Sequence, residues 1–130
     1  MAEHANVEIF RRGYAAFQAG DLDTVRSLLA GDVVWHNVGH NHLSGDYTGV
    51  DATIGLFLKL FEESGGTFKL DVHDVLANDD HGVALVTASA SKGDSSFASR
   101  AAHVVHIRDG KLTESWFFAE DEAGADAFWG

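Results

Sequence analysis

The sequence has no cysteine and no proline among its 130 residues. Without cysteine, the chain has no disulfide, no catalytic thiol and no cysteine-ligated zinc site. Without proline, no turn depends on a ring-fixed φ angle. Chemistry in this chain therefore has to rely on histidine, aspartate, tyrosine and asparagine side chains.

Positive charge is also scarce. Nine Lys and Arg residues stand against 20 Asp and Glu residues, which gives a formal net charge of −11. Between Arg26 and Lys69 the only basic residue is Lys59, so the acidic average hides no basic stripe. Nucleic acids and anionic membranes both bind clustered Lys and Arg. Neither is expected as a partner.

Long apolar segments are missing as well. No apolar run approaches the roughly 18 residues that span a bilayer, and the first ten residues lack the basic and apolar regions of a secretory signal. We therefore expect a soluble, cytoplasmic protein. Hydrophobic residues make up 45% of the chain and charged residues 22%, as in an ordinary globular domain. With no repeat or linker, residues 1–130 are predicted to form a single domain.

Three helices are predicted in the first half of the chain. The first ends at Gly20, the second runs from an N-cap at Asp21 to Gly31, and the third covers residues 50–63. The residues predicted to face the core at helical spacing are Val7, Phe10, Tyr14, Phe17, Leu22, Val25, Leu28, Leu29, Ile54, Phe57, Leu58 and Phe61.

The rest of the sequence favours strands. Residues 33–38 are rich in β-formers, and from Phe68 onward apolar and polar residues alternate. Predicted turns at residues 78–82, 92–94 and 109–110 separate four further strand segments, and Phe128 and Trp129 are available to dock the C-terminal tail. The pattern predicts an α+β fold with three helices on a mostly antiparallel sheet of four or five strands. A curved sheet would leave a pocket between the layers.

Several motifs resemble the NTF2-like superfamily, and more narrowly its SnoaL-like and ketosteroid-isomerase-related branch. They are AFQAGDLD at residues 16–23, LLAGDVVW at residues 28–35, the segment 45–49 before the third helix, the hairpin 108–112, and Glu120-Asp121 followed by Phe128-Trp129. They occur in the order of the family and span nearly the whole chain.

This resemblance implies a cone-shaped α+β barrel, a largely apolar pocket and a homodimer. The fold hosts isomerases, polyketide cyclases, epoxide hydrolases and dehydratases, so it does not by itself specify a reaction. The catalytic base of ketosteroid isomerases falls at Asn37, which cannot take a proton. Tyr14 lies one residue from the position of their oxyanion-hole tyrosine, and their second acid falls at Ala102 or His103.

Three side chains are candidate catalytic groups. His103 alternates with apolar residues, so it is either a core histidine with a hydrogen-bonded neighbour or a general base or neutral donor in the pocket. Asp121 closes the last predicted strand, near the end where the resemblance to SnoaL-type cyclases implies an acid/base aspartate, or it belongs to a solvated acidic run. Asn37 could orient a substrate carbonyl or hold a strand end. The predicted pocket wall consists of Tyr14, Phe17, Trp35, Phe57, Phe61 and Trp116.

A histidine cluster offers a different chemistry. His36, His40 and His42, with Asp46 four residues further on, resemble the first metal motif of cupins. The second histidine motif that a cupin needs is missing, and a loop of solvated histidines needs no metal. The prediction is therefore no metal and no cofactor, with a metal-dependent enzyme as the least favoured alternative.

The favoured hypothesis is a SnoaL-like pocket protein that binds a small, largely apolar carbonyl compound. It would catalyse isomerisation, cyclisation or dehydration by proton transfer. The alternative is a non-catalytic ligand-binding or dimeric interaction module on the same fold, which the amide at Asn37 favours.

Overall fold

The structure is a computed structural model that describes residues 4–130. Its elements in chain order are α1 (Ala5–Gln18), α2 (Leu22–Ser27), β1 (Leu29–Asn37), β2 (Gly45–Thr48), α3 (Val50–Glu63), β3 (Lys69–Ala77), β4 (His81–Lys92), β5 (Ser95–Arg108), β6 (Lys111–Ala119) and α4 (Glu122–Trp129). No helix in this part of the chain is both long and apolar enough to cross a membrane.

The strands form one curved sheet in the order β2-β1-β6-β5-β4-β3. β1 and β6 are parallel, whereas every other neighbouring pair is antiparallel. The turn between β5 and β6 is tight because Asp109 and Gly110 both adopt positive φ angles, of 53° and 75°, which matches the right-handed twist of a hairpin. The predicted α+β architecture is confirmed, and the sheet does not close into a complete barrel.

Helix α1 buries one apolar stripe against the sheet. Val7, Phe10, Tyr14 and Phe17 are all buried, as the helical spacing predicts. The helix begins where the His4 ring accepts a hydrogen bond from the Asn6 backbone N–H at 3.1 Å. Packing of this stripe places the rings of Phe10 and Tyr14 against His103 in β5.

Helix α2 is shorter than predicted. Asp21 caps it as expected, since its carboxylate accepts the Thr24 backbone N–H at 3.2 Å. The helix ends at Ser27 and not at Gly31, because the Leu28 carbonyl accepts the Leu112 N–H at 2.8 Å and the chain then enters β1. Strand pairing overrides the helical spacing of Leu28 and Leu29 here.

Two elements were not predicted from the sequence. The four-residue strand β2 makes the sheet six-stranded, and α4 adds a fourth helix over the end of the sheet. As predicted, Phe128 and Trp129 dock the C-terminal tail; both lie in α4 and are buried.

Helix α3 has the predicted bounds, and Ile54 and Phe57 are buried as predicted. Leu58 was predicted to face inward, yet it is 51% exposed, whereas Leu56 is 1% exposed. The reason is that Leu56, Phe57 and Leu60 line the central cavity, which turns Leu58 toward solvent.

Candidate functional site

A cavity of about 140 Å³ lies between the helices and the inner face of the sheet. That size matches engineered apolar cavities that hold a single benzene ring. Its aromatic lining residues are Phe10, Tyr14, Phe17, Trp35, Phe57, Phe68, Phe97, Phe117 and Trp129. Aliphatic side chains from α2, α3 and β6 fill the remaining wall, so the interior favours an apolar ligand.

A buried series of hydrogen bonds that joins Tyr14, His103 and Ser115 interrupts this wall. The Tyr14 hydroxyl lies 2.6 Å from His103 Nδ1, and the Ser115 hydroxyl lies 2.6 Å from His103 Nε2. β5 and β6 direct His103 and Ser115 to the inner face, while α1 brings Tyr14 down from above. Tyr14 and His103 both line the cavity.

Burial keeps both titratable members of this series neutral. It lowers the pKa of His103 to about 3 and raises the pKa of Tyr14 far above its usual range. The aromatic rings of Phe10, Trp35 and Phe117 surround the imidazole, with centroids 5.2, 5.1 and 5.7 Å away. At neutral pH Tyr14 and His103 therefore present hydrogen-bonding groups that carry no charge.

The polar end of the cavity is formed by the segment after β1 and by α4. Asn37, Asn41, Glu122 and Asp126 line it. The Asp126 carboxylate accepts the His40 backbone N–H at 2.9 Å and the Asn41 side-chain N–H at 2.8 Å, and these bonds lower its pKa. No Lys or Arg of the described residues lines the cavity, so its charged groups are carboxylates.

The structure brings most of the predicted site residues together. Tyr14, Phe17, Trp35, Phe57, Asn37 and His103 line the cavity. Phe61 lies behind the wall, with its ring 4.8 Å from that of Phe17. The Asn37 side chain donates to the Leu43 carbonyl at 2.8 Å, so it also holds the end of β1.

Trp116 was predicted in the pocket wall, and this placement is wrong. Its ring lies on the outer face of the sheet, stacked on His36 at 5.0 Å and 15°. Side chains alternate along β6, and the neighbouring Phe117 points into the cavity instead.

Asp121 lies at the start of α4 and does not line the cavity. Its carboxylate accepts the Gly124 backbone N–H at 2.9 Å, so it caps the helix. The neighbouring Glu122 does line the cavity, one turn before Asp126.

The predicted histidine cluster does not converge. His36 lies between Asp46 and Glu114, whereas His42 pairs with Glu63 at 2.7 Å. His40 lies elsewhere, with Nδ1 3.9 Å from Asp126.

Within residues 4–130, one set of side chains has the spacing to hold a metal ion. These are His40, Glu122 and Asp126, whose ligand atoms lie within 4.8 Å of one another. One imidazole and two carboxylates are ligand types that divalent transition metals accept.

Sequence reasoning missed Ser115, Phe117, Glu122 and Asp126. For the first two a signal existed, since they alternate on β6 and pair with the strand that carries His103. For the other two the i, i+4 spacing in α4 was visible, but only the tertiary position of α4 places them at the cavity.

Helices packed on the inner face of an open, curved six-stranded sheet, around an apolar cavity, define an α+β protein of the NTF2-like type. The chain belongs to the SnoaL-like domain family, whose model matches residues 10–115. The resemblance predicted from the sequence motifs is therefore confirmed.

Relatives of this chain include proteins without an assigned function. The uncharacterized protein Rv0034 of Mycobacterium tuberculosis is 31% identical over 130 residues, covering 99% of each chain. The structure of Bal32a, from a soil-derived mobile gene cassette, has a TM-score of 0.93 and 31% identity, covering 96% of each chain. An NTF2-like protein of Burkholderia xenovorans has a TM-score of 0.81 over 98% of each chain, and at 21% identity it shows the shared fold alone.

Proposed function

We propose that this chain binds a small, largely apolar carbonyl compound in its central cavity. The observation that carries the proposal is a neutral donor pair, Tyr14 hydrogen-bonded to His103 at 2.6 Å, set among the aromatic and aliphatic residues of the cavity wall. A few placed polar groups in an apolar pocket fix a ligand's orientation. The Tyr14 hydroxyl would donate to the carbonyl oxygen, and the rings of Trp35 and Phe57 would pack on the ligand body.

The binding test compares acetophenone with α-methylstyrene, which has the same shape but a methylene group in place of the carbonyl oxygen. NMR titration measures the affinity of both compounds for the original chain and for its variants. Tyr14→Phe removes the donor and keeps the ring, so it should weaken ketone binding by about 0.5–1.5 kcal/mol, or roughly two- to tenfold, and leave the hydrocarbon unchanged.

Tyr47→Phe is the matched control. The Tyr47 hydroxyl donates to the Leu43 carbonyl at 2.7 Å, and Tyr47 does not line the cavity. This variant should bind both compounds as the original chain does. A Tyr14→Phe variant that loses no ketone affinity relative to the hydrocarbon would contradict the proposal.

A second candidate function is proton transfer next to that carbonyl. It is favoured by a carboxylate, Glu122, that lines the same cavity as the Tyr14 donor. The carboxylate would take a proton from the carbon next to the carbonyl, and Tyr14 would stabilise the resulting enolate oxygen. His103, with both ring nitrogens hydrogen-bonded, would hold Tyr14 in place and would not act as the base.

Deuterium exchange tests this reaction without knowledge of the natural substrate. In D₂O, the original chain should accelerate exchange of the acetophenone methyl protons, as followed by NMR. Glu122→Gln should abolish the acceleration, whereas Asp121→Asn, which keeps an N-cap acceptor, should retain it. The opposite pattern would assign the base to Asp121. Absence of acceleration in the original chain would leave ligand binding without catalysis.

We further propose that two copies associate through the outer face of the sheet. Cross-strand rows on this face are apolar, with Leu85, Ala102 and Phe118 in one row and Val83, Val104 and Trp116 in the next. Phe118 is 48% exposed and Leu85 is 38% exposed. Contiguous exposed apolar side chains of this kind are typical of protein interfaces.

A further inference from the structure

A hydrogen count along the buried chain from Tyr14 through His103 to Ser115 constrains which group can meet a ligand. Ser115 is 0% exposed, and its hydroxyl lies 2.6 Å from His103 Nε2. On the other side of the ring, the Tyr14 hydroxyl lies 2.6 Å from Nδ1. Within residues 4–130, His103 is the hydrogen-bond partner that the structure gives each of these two hydroxyls.

A neutral imidazole carries one N–H, so Tyr14, His103 and Ser115 together hold three hydrogens for two hydrogen bonds. Burial of His103 disfavours the imidazolium, in which both nitrogens would donate. Both hydroxyls cannot donate at once, because the nitrogen that carries the hydrogen cannot accept. Two arrangements remain, and they differ in which hydroxyl hydrogen is left without an acceptor.

In the first arrangement the hydrogen of His103 is on Nε2. Tyr14 then donates to Nδ1, Nε2–H donates to Ser115, and the Ser115 hydrogen has no acceptor although the residue has no access to solvent. In the second arrangement the hydrogen is on Nδ1. Ser115 then donates to Nε2, Nδ1–H donates to the Tyr14 oxygen, and the remaining hydrogen belongs to Tyr14, which lines the cavity.

We infer that Ser115 is a positioning residue that holds His103 in the Nδ1–H tautomer and thereby leaves the Tyr14 hydroxyl hydrogen for the ligand. An unpaired buried hydroxyl is costly, whereas Tyr14 can donate to water or to a ligand in the cavity. The inference rests on the proposed binding function and makes it more specific. The ligand atom at Tyr14 has to be a hydrogen-bond acceptor, such as a carbonyl oxygen, and an N–H at that position would be rejected.

The tautomer of His103 is measurable without any ligand. In the long-range ¹H–¹⁵N NMR spectrum of the ¹⁵N-labelled chain, we expect Nδ1 to have the chemical shift of a protonated nitrogen and Nε2 that of an unprotonated one. The His103→Gln spectrum assigns the signals by their loss. A protonated Nε2 in the unliganded chain would overturn the inference.

Ser115→Ala tests the positioning role, because it removes the hydroxyl that donates to Nε2. We expect the Nε2 chemical shift to change and acetophenone affinity to fall by roughly two- to tenfold, with α-methylstyrene affinity unchanged. Ser64→Ala is the control, since Ser64 is a buried serine that does not line the cavity and donates to the Leu60 carbonyl. It should leave the His103 signals and both affinities unchanged.

The two proposals fail separately in these measurements. If acetophenone does not bind at all, the binding function is wrong, and the tautomer spectrum still decides the role of Ser115. If acetophenone binds and Ser115→Ala changes neither its affinity nor the His103 signals, the positioning role is wrong and the binding function stands.

Discussion

At the scale of single residues, Gly82 shows how closely α1 packs on the sheet. A Cβ atom at this position would lie 2.8 Å from Phe10 Cδ2 and 3.1 Å from Val105 Cγ2, both in the core. Phe10 is 2% exposed and also packs on the His103 ring, so it has little room to move. Gly82→Ala should therefore lower the free energy of unfolding by about 1–3 kcal/mol.

Urea unfolding followed by tryptophan fluorescence measures this effect. Gly55→Ala is the matched control, since an added Cβ there meets no atom within 4 Å and Gly55 lies inside α3. It should raise stability by about 0.5–1 kcal/mol through helix propensity. Equal effects of the two substitutions would contradict the packing argument.

The residue scale also shows where sequence reasoning stops. Alternation along β6 predicts correctly that Trp116 and Phe118 share one face and Phe117 the other. Period alone does not tell which of two apolar faces points to the cavity, and Trp116 was assigned to the wrong side for that reason. His103 was easier to place, since its alternation neighbours Ala101 and Val105 mark a buried face.

At the scale of elements, a histidine between two carboxylates connects the edge strand β2 to the centre of the sheet. His36 Nδ1 lies 2.6 Å from Asp46 in β2, and Nε2 lies 2.7 Å from Glu114 in β6. Donating to both carboxylates requires both ring nitrogens to carry a hydrogen, as in the imidazolium. Burial alone lowers the pKa of His36, but the hydrogen bonds to Glu114 and Asp46 outweigh it and raise the pKa.

This pKa shift predicts the direction of a pH effect on stability. A raised pKa in the folded state contributes stability below the unfolded value of about 6.5, and this contribution is lost as the pH rises through the folded pKa. We expect the stabilisation that His36 provides to be smaller at pH 9 than at pH 6.

Urea unfolding at both pH values, for the original chain and for His36→Gln, isolates the contribution of His36 from that of the other histidines. The loss of stability between pH 6 and pH 9 should be smaller in the variant. The same pH dependence in both proteins would show that the Asp46–His36–Glu114 contact does not act as an ion pair.

Helices and strands were predicted correctly where an apolar pattern extends over many residues. They were not predicted where tertiary contacts determine where an element lies or begins. The bounds of α3 were predicted correctly, because a full apolar stripe and two following glycines define them. β2 spans four residues, too few for an alternation to be visible. The start of β1 at Leu29 depends on pairing with Leu112, which is far away in the sequence.

At the scale of the whole molecule, the two faces of the sheet have different roles in the proposed function. The inner face and the helices line the cavity. The outer face carries the apolar rows that end in Phe118 and Trp116, and Phe118 and Leu85 are partly exposed there. The cavity was predicted mainly through the family resemblance, since periodicity does not reveal curvature.

This separation predicts that association and ligand binding can be uncoupled. Phe118→Glu puts a charge at the end of one apolar row, where a second copy would have to desolvate it. We expect sedimentation equilibrium to show a dimer for the original chain and a monomer for this variant. Leu58→Glu, on the exposed side of α3, should remain a dimer. Because each chain carries −11, raising the salt concentration should strengthen association of the original chain by screening repulsion. The monomeric variant should still bind acetophenone, because the cavity lies on the other face of the sheet. A monomeric original chain would show that the outer face is not a dimer interface.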